Sequence, residues 1–316
     1  MEDNGIDVSI IILTKNAEKN IHNTIAMILN QETKYKFEAI IIDSGSEDKT
    51  IEIVKGFPDV KLIQNKPEEF QHGRTRNLGG KTAKGKYLVF LNGDAIPRDR
   101  LWLDSLLKNF EVDETIVGVY SRHLPKENCH FYIATEILNG MRPIKELRKS
   151  SYLLDDDFKW NLFRLIHFST VSCAIKKEIW EIFPFCEDLP LGEDQDWSKR
   201  VLETGYSIVY EPTSVVFHSH NRSLIEIFRH YYNCALVFNS IFKLKKSIAH
   251  FLGRILILFY YILVEIVYII KYAQSKNYNC YRVLKEIVIA VFSRSSGTLG
   301  EICGDIKSLY KPIRKR

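Results

Sequence analysis

Short apolar runs alternate with segments of helical spacing over the first ninety residues, and this alternation restricts the chain to few folds. The helical segments span residues 16–29 and 74–84, and a third begins at Thr50. Strands that alternate with helices of this length build right-handed βαβ units around a parallel sheet. The runs predicted as buried strands are Val8–Leu13, Phe37–Ile42, Val60–Ile63 and Tyr87–Leu91. We therefore predict an α/β fold with a doubly wound, mostly parallel sheet and helices on both faces.

The pattern changes twice further along the chain. Beyond residue 110, strands are predicted over 116–120, 170–175, 207–210 and 214–217, and helices from Lys177 and over 194–204. From residue 223 onward only helical spacing remains, over 224–238, 247–272 and 281–292. The shift in composition near residue 222 predicts an α/β domain over 1–222 and a helical region over 223–316.

The composition argues against several classes of protein. Lys and Arg exceed Asp and Glu by only 44 − 39 = 5, and no dense basic patch marks a nucleic-acid-binding module. The six cysteines form neither a CxxC pair nor a zinc-finger spacing, so we expect reduced thiols. The first residues, MEDNGIDVSIIIL, place acids before a short apolar run, which is not typical of a signal peptide. We expect a protein of the cytoplasm that does not bind nucleic acid.

Two predicted strands end in acids. Asp43 follows the second strand, and Asn92 and Asp94 follow the fourth. Ligands of open α/β sheets bind at the carboxyl ends of the strands. A carboxylate there can accept a hydrogen bond from a nucleotide base or ribose, or hold a divalent cation that bridges phosphates. Dinucleotide and P-loop sites are not indicated, because neither GxGxxG nor GxxxxGK[ST] occurs.

Four segments together resemble the inverting glycosyltransferase family 2. They are VSIIILTKNAEKNI, AIIIDSGSEDKTIEI, GRTRNLGGKTAKGKYLVFLNGDAIP and GEDQDWSKRVLETGYSIVYEPTSVVFHSH, in this order. The resemblance covers about residues 6–222 and is most similar to the rhamnosyltransferase-like branch, which builds surface polysaccharides. It implies the GT-A fold, a nucleotide-sugar donor and a divalent cation, Mg²⁺ or Mn²⁺.

The resemblance also implies roles for individual residues. It puts Thr14 and Glu18 near the nucleotide, Asp43 on its base, and Arg76 near the diphosphate or the base. It matches Asn92-Gly93-Asp94 to the acidic metal motif, with Asn92 in the place of the first acid. Asp94 is therefore the expected principal metal ligand, and Asn92 is expected beside the donor.

The LGEDQDW segment matches the Glu-Asp motif of the family, which implies that Asp194 is the catalytic base. Inverting transfer is a single displacement in which the acceptor hydroxyl loses its proton while it attacks the anomeric carbon, so it needs a carboxylate within hydrogen-bond reach. Asp196 is the next candidate for this base. The alternative is that the acids only complement the start of a helix.

His218 and His220 lie two apart at the end of the last predicted strand. If the strand continues through them, both side chains point to one face of the sheet. A neutral imidazole there could complete the shell of a cation, and the family often has a ligand His at this point. The sequence does not distinguish between the two.

The stretch FLGRILILFYYILVEIVYIIKY, residues 251–272, is nearly long enough to span a membrane. On a helix its polar residues form one narrow stripe, made of Arg254, Tyr261, Glu265, Tyr268 and Tyr272. The stripe favours a helix that packs along the catalytic domain or lies in the membrane interface. Core packing and a true span remain alternatives. In the interface, Lys243, Lys245, Lys246 and Lys271 would meet anionic head groups.

These observations predict a metal-dependent, inverting glycosyltransferase at the inner face of the cell membrane. We expect it to transfer a sugar from dTDP-rhamnose or a UDP-sugar to a glycan or a lipid-linked acceptor. One alternative is a nucleotidyltransferase, but TKNAEKN lacks the glycine-rich loop such enzymes usually have after the first strand. The other is a non-catalytic sugar-nucleotide-binding subunit, against which the presence of Asp194 argues.

Overall fold

The computed structural model describes residues 5–149, 162–242 and 248–310, which fall into two compact units. The first unit comprises Met1–His123, Met141–Glu187 and Glu193–His218, and the second comprises Leu124–Gly140, Asp188–Gly192 and Ser219–Arg316. The sheet belongs to the first unit, and long helices dominate the second. The division into independent domains at residue 222 stays a prediction.

Nine strands form one mixed sheet in the described part of the chain. They are β1 (Val8–Thr14), β2 (Phe37–Asp43), β3 (Val60–Gln64), β4 (Tyr87–Asn92), β5 (Ile96–Pro97), β6 (Ile116–Leu124), β7 (Glu146–Lys149), β8 (Ser172–Lys176) and β9 (Ser207–Phe217). The order is β3-β2-β1-β4-β8-β6-β9-β5, and β7 pairs with β9. Strands β3, β2, β1 and β4 are parallel, whereas β8, β5 and β7 pair antiparallel with their neighbours.

The helices lie between and after these strands. They are α1 (Ile21–Leu29), α2 (Thr50–Lys55), α3 (His72–Thr82), α4 (Trp102–Leu107), α5 (Phe131–Gly140), α6 (Leu162–Ile166), α7 (Lys177–Ile182), α8 (Glu193–Glu203), α9 (Leu224–Phe242), α10 (Ile248–Ser275) and α11 (Cys280–Tyr310). The predicted α/β architecture is confirmed by this alternation.

Strand β1 is buried along its whole length because helices cover both faces of the sheet. Ile10 and Ile12 belong to a core cluster with Ile21 and Ile25 of α1. Ile11 points to the opposite face, where Gly79 of α3 approaches so closely that a Cβ there would clash with its side chain. The continuous apolar run in the sequence follows from this double cover.

Some predicted boundaries differ from the structure. The helix expected from residue 16 begins only at Ile21, because Asn16 adopts a left-handed backbone with φ +50°. Its side-chain oxygen accepts a hydrogen bond from the Glu47 N–H (2.9 Å), which holds the loop outside the helix. The two short strands expected over 207–217 form the single strand β9.

The second unit contains the helices α5, α9, α10 and α11. Helices α9 and α11 pack closely, because Gly300 and Gly304 have no side chain to separate α11 from the carbonyl groups of Phe228 and Tyr232. In α10, the stretch Gly253–Ser275 is long and apolar enough to cross a membrane, with a mean hydropathy of 2.1, and 11% of it is buried.

Candidate functional site

Thr14 and Asp43 meet at the carboxyl ends of β1 and β2, where they are register partners. The Thr14 hydroxyl donates a hydrogen bond to Asp43 Oδ2 (2.9 Å). The same carboxylate accepts hydrogen bonds from the backbone N–H groups of Gly45 (3.1 Å) and Ser46 (2.8 Å) and from the Ser46 hydroxyl (2.5 Å). Asp43 is fully buried, and these four donors match the four lone pairs of a carboxylate. Asp43 therefore organises the turn after β2.

Glu18 connects the loop after β1 to the start of α2. Its carboxylate accepts a hydrogen bond from the Lys49 N–H (3.2 Å), and its own N–H donates to Asp48 Oδ2 (3.1 Å). The turns after β1 and β2 are thereby tied together, with Glu18 on the exposed side.

The end of β4 lies against the end of β1. Leu13 and Asn92 are register partners, and the Gly93 N–H donates to the Leu13 carbonyl (2.8 Å). A Cβ at Gly93 would lie 2.6 Å from Thr14 Cγ2, so only glycine allows this approach. Because β2, β1 and β4 are adjacent, the predicted residues on them gather at one edge of the sheet.

Asp94 lies beside His218, at the end of β9. Asp94 Oδ1 is 3.5 Å from His218 Nε2, and both side chains are largely buried. Two ligands that bind one ion at about 2.1 Å each are roughly 3.0–3.5 Å apart at octahedral to tetrahedral angles. A carboxylate oxygen with an imidazole nitrogen thus fits a divalent cation in chemistry and in separation. His220 lies two residues beyond His218, outside the first unit, and its role stays a prediction.

His123, which the sequence analysis did not single out, packs behind this pair. Its ring centroid is 5.6 Å from that of His218, in an edge-to-face arrangement, and its Nε2 is 3.4 Å from the Ser169 hydroxyl. Burial, and the nearby His218, hold the pKa of His123 well below its usual value. His123 is therefore neutral at pH 7 and fixes one side of the His218 ring. A lone histidine at the end of a strand gives no signal of this in the sequence.

Arg76 of α3 joins the end of β4 to the start of α8. Its guanidinium donates to Glu193 Oε1 (2.8 Å) through one nitrogen and to Asn92 Oδ1 (3.1 Å) through the other. The Arg76 and Glu193 side chains are both almost completely buried, so the ion pair is shielded from water. Arg76 thus connects the Asn92-Gly93-Asp94 motif to the Glu193-Asp194 motif through hydrogen bonds.

Asp194 follows Glu193 at the start of α8. Its carboxylate accepts hydrogen bonds from the Gln195 N–H (2.8 Å) and the Thr170 N–H (3.3 Å). Thr170 Oγ1 lies between the two carboxylates, 3.3 Å from Glu193 Oε1 and 3.5 Å from Asp194 Oδ2. Burial and then the negative charge of Glu193 raise the pKa of Asp194 to about 7. An acid with this pKa is poised to exchange protons at neutral pH.

Asp196, the other candidate for the base, has a different environment. Arg200 Nε donates to Asp196 Oδ2 (2.8 Å) one helical turn along α8, and Asp196 is buried. This pairing stabilises the helix and occupies the carboxylate. The geometry therefore favours Asp194 over Asp196 for proton transfer, although both roles stay predictions.

Comparisons with known proteins agree on one family. Residues 9–177 match the model of "Glycosyl transferase family 2". The O-antigen chain rhamnosyltransferase RfbN of Salmonella typhimurium is 29% identical over 228 residues, which are 72% of this chain and 70% of RfbN.

Solved structures share the fold. Mannosyltransferase PcManGT from Pyrobaculum calidifontis, in complex with GDP-Man and Mn²⁺, aligns over 96% of this chain and 87% of its own, with a TM-score of 0.57 and 19% identity. Glucosyl-3-phosphoglycerate synthase from Mycobacterium tuberculosis, in complex with Mn²⁺, UDP and glucosyl-3-phosphoglycerate, aligns over 77% and 82%, with a TM-score of 0.56 and 18% identity. At these identities the likeness shows the fold alone. The resemblance predicted from the four motifs is confirmed, and the chain belongs to glycosyltransferase family 2 with the GT-A fold.

Proposed function

We propose that this protein is a metal-dependent, inverting glycosyltransferase of surface polysaccharide or glycoconjugate synthesis. Its donor would be dTDP-rhamnose or a UDP-sugar, and its acceptor a hydroxyl of a glycan or of a lipid-linked glycan. The observation that carries the proposal is Asp194, a carboxylate with a pKa of about 7 next to the buried Arg76–Glu193 pair. The similarity to RfbN supports the polysaccharide context.

Asp194 would act as the general base. In its ionised form it accepts the proton of the acceptor hydroxyl while that oxygen forms the new bond to the anomeric carbon and the nucleoside diphosphate leaves. The Thr170 N–H and the Gln195 N–H hold the carboxylate in one orientation.

On the donor side, Thr14, Glu18, Asp43, Arg76 and Asn92 are proposed to form the nucleotide end of the site. Asp43 and Arg76 would act largely by holding the turn after β2 and the end of β4 in place, since both are buried and hydrogen-bonded to protein groups. A direct contact with the nucleotide would require one of these internal bonds to be exchanged.

Asp94 and His218 would hold a divalent cation, which supplies positive charge for the diphosphate leaving group when bound. We include His220 as a further ligand, because the chain keeps its Cα within about 7 Å of that of His218. A carboxylate ligand suits Mg²⁺ or Mn²⁺, and both aligned structures contain Mn²⁺.

The pH dependence should report the carboxylate pair. A base with a raised pKa is protonated below that pKa, so kcat/KM should fall as the pH decreases through about 7.

Glu193→Gln removes the negative charge that raises the pKa of Asp194 but keeps an oxygen for Arg76. We expect the pH at which kcat/KM falls to decrease by about one unit. Glu187→Gln removes a half-buried acid that pairs with Arg74 of α3 (3.4 Å) and is the matched control, for which we expect an unchanged pH profile. If kcat/KM of Glu193→Gln falls at the same pH as that of the wild type, the fall is due to a group other than Asp194.

The reaction itself is tested with a panel of nucleotide sugars. Thermal shift with and without Mn²⁺ identifies the donor, because a ligand that binds the native state raises the melting temperature. Transfer to a soluble acceptor is then followed by NMR of the anomeric proton, and inversion at that carbon is expected. Formation of a nucleotide sugar and pyrophosphate from a sugar phosphate and a nucleoside triphosphate would favour a nucleotidyltransferase. Donor binding without transfer or hydrolysis would favour the non-catalytic alternative.

We also propose that the protein works at the inner face of the cell membrane, where a lipid-linked acceptor resides. The long apolar helix α10 supports this placement. Holding the active site at the leaflet would raise its effective concentration relative to such an acceptor.

A further inference from the structure

The two charged residues of the polar stripe of α10, Arg254 and Glu265, face α11 within the second unit, whereas Tyr261 and Tyr268 of the stripe are exposed. Glu265 accepts two hydrogen bonds from the Arg294 guanidinium (2.8 and 3.2 Å), although only 7% of its surface is exposed. Near the other end of α10, Arg254 pairs with Glu301 and, through Nε, with Asp305 (3.3 Å). Charges that would be costly in lipid are therefore neutralised inside an antiparallel pair of helices.

The outer surfaces of both helices are apolar. On α10 the exposed aliphatic and aromatic side chains are Ile255, Leu256, Ile257, Phe259, Tyr260, Tyr261, Leu263, Val267, Tyr268 and Ile270. On α11 they are Tyr281, Leu284, Val288, Phe292, Leu299, Ile306 and Leu309, which recur every three to seven residues and so share one side of the helix. We call these two surfaces the outer stripes. Apolar surface of this extent marks a site of interaction.

Helices α10 and α11 form an antiparallel hairpin, and we call residues 266–285, where α10 ends and α11 begins, its tip. The composition of the tip is typical of a membrane interface. Between Glu265 and Glu286 the chain carries four cations, Lys271, Lys276, Arg282 and Lys285, and no acid. The same stretch contains four tyrosines, Tyr268, Tyr272, Tyr278 and Tyr281, and Arg282 stacks on Tyr278 at 4.1 Å. Tyrosine and lysine concentrate where apolar chains meet head groups, and cations are attracted to anionic lipids. A second protein copy would present the same positive charge, so this tip favours an anionic bilayer as the partner.

The tip also argues against a span. If α10 crossed the bilayer, four cations would reach the far side, against the positive-inside rule. Arg294 and Asp305 would enter the hydrocarbon with α11, and α11 is packed through Gly300 and Gly304 onto α9. A helix that lies in the interface avoids both costs.

We propose that the α10–α11 hairpin lies in the plane of an anionic cytoplasmic leaflet, with the outer stripes in the acyl boundary and both ends of α10 on the same side. This rests on the membrane placement proposed above and adds how the bilayer is contacted. Of the lysines expected at the head groups, Lys271 lies at this tip, while Lys243, Lys245 and Lys246 lie outside the described residues.

Flotation with vesicles tests the surface. The full-length protein should float with vesicles of phosphatidylcholine and phosphatidylglycerol, and Leu256→Glu/Leu263→Glu should reduce the bound fraction at least tenfold. Val112→Glu is the matched control, because Val112 in the first unit is 75% exposed and Leu256 is 73% exposed. Lys271→Gln/Lys276→Gln should weaken binding to anionic vesicles about fivefold per lysine and leave binding to neutral vesicles unchanged.

Labelling of Cys280 tests the topology. Cys280 is exposed at the first residue of α11, so a membrane-impermeant maleimide can report on the tip. In a bacterial host we expect labelling in inverted vesicles and none in intact spheroplasts, with Cys280→Ser identifying the labelled site. Labelling from outside the spheroplasts would overturn the proposal in favour of a span.

Two other results would also overturn it. Protein that stays out of the floated fraction and forms dimers that Leu256→Glu disrupts would assign the outer stripes to a second copy. Protein that remains monomeric and unbound would show that they contact no bilayer. In both cases donor binding and transfer to a soluble acceptor are measured separately, so the proposed enzymatic activity is tested independently of membrane binding.

Discussion

Asp194→Asn is expected to lower kcat by about 10²–10⁴-fold, because it removes the general base. Donor binding should stay close to that of the wild type, since the amide has the same size and Arg76 remains paired with Glu193. The measurements are the transfer rate at pH 8, where Asp194 is ionised, and donor affinity by calorimetry with Mn²⁺. The fall of kcat/KM below pH 7 should also disappear from the residual activity.

Asp196→Asn is the matched control for this variant. It changes the next acid on α8, which is bound to Arg200 rather than to Thr170, so we expect transfer to continue with some loss of stability. A variant of Asp194 with nearly full kcat, together with an inactive Asp196 variant of normal fold, would place the base at Asp196.

Asp94→Ala should abolish metal-dependent donor binding. Asp94 is the carboxylate of the pair with His218, and without it a cation retains only neutral imidazole ligands from these residues. Loss of an outer-shell partner alone weakens metal binding about 10–100-fold, so the loss of the principal ligand should exceed this. Mn²⁺ titration followed by donor binding measures the effect, and a nucleotide added without metal is the baseline.

Asn92→Ala is the comparison that separates a ligand from its neighbour. The Asn92 side chain accepts a hydrogen bond from Arg76, so its removal should only weaken donor binding. Equal losses in both variants would make Asn92 a ligand of the same rank as Asp94. Full activity of the wild type in EDTA would exclude a required metal.

The sequence alone determined the parallel half of the sheet and the positions of the candidate site residues. Strand β1 is apolar at nearly every position because both of its faces are covered, and such a run identifies a buried strand without knowledge of its partners. Asp43 and Asp94 follow directly from this, since a residue after a parallel strand must lie at the carboxyl edge of the sheet. Family membership also followed from four short motifs in the correct order.

Only the tertiary structure decided which groups these side chains contact. The partner of Arg76 is Glu193, 117 residues later, and no local pattern indicates that the arginine is buried in an ion pair rather than open to a diphosphate. The polar stripe on α10 was visible in the sequence, but the ion pairs of its two charged residues with Arg294, Glu301 and Asp305 were not. Periodicity reports which face of a helix is polar, whereas the charge that neutralises that face comes from a distant part of the chain and is fixed only when the helices pack.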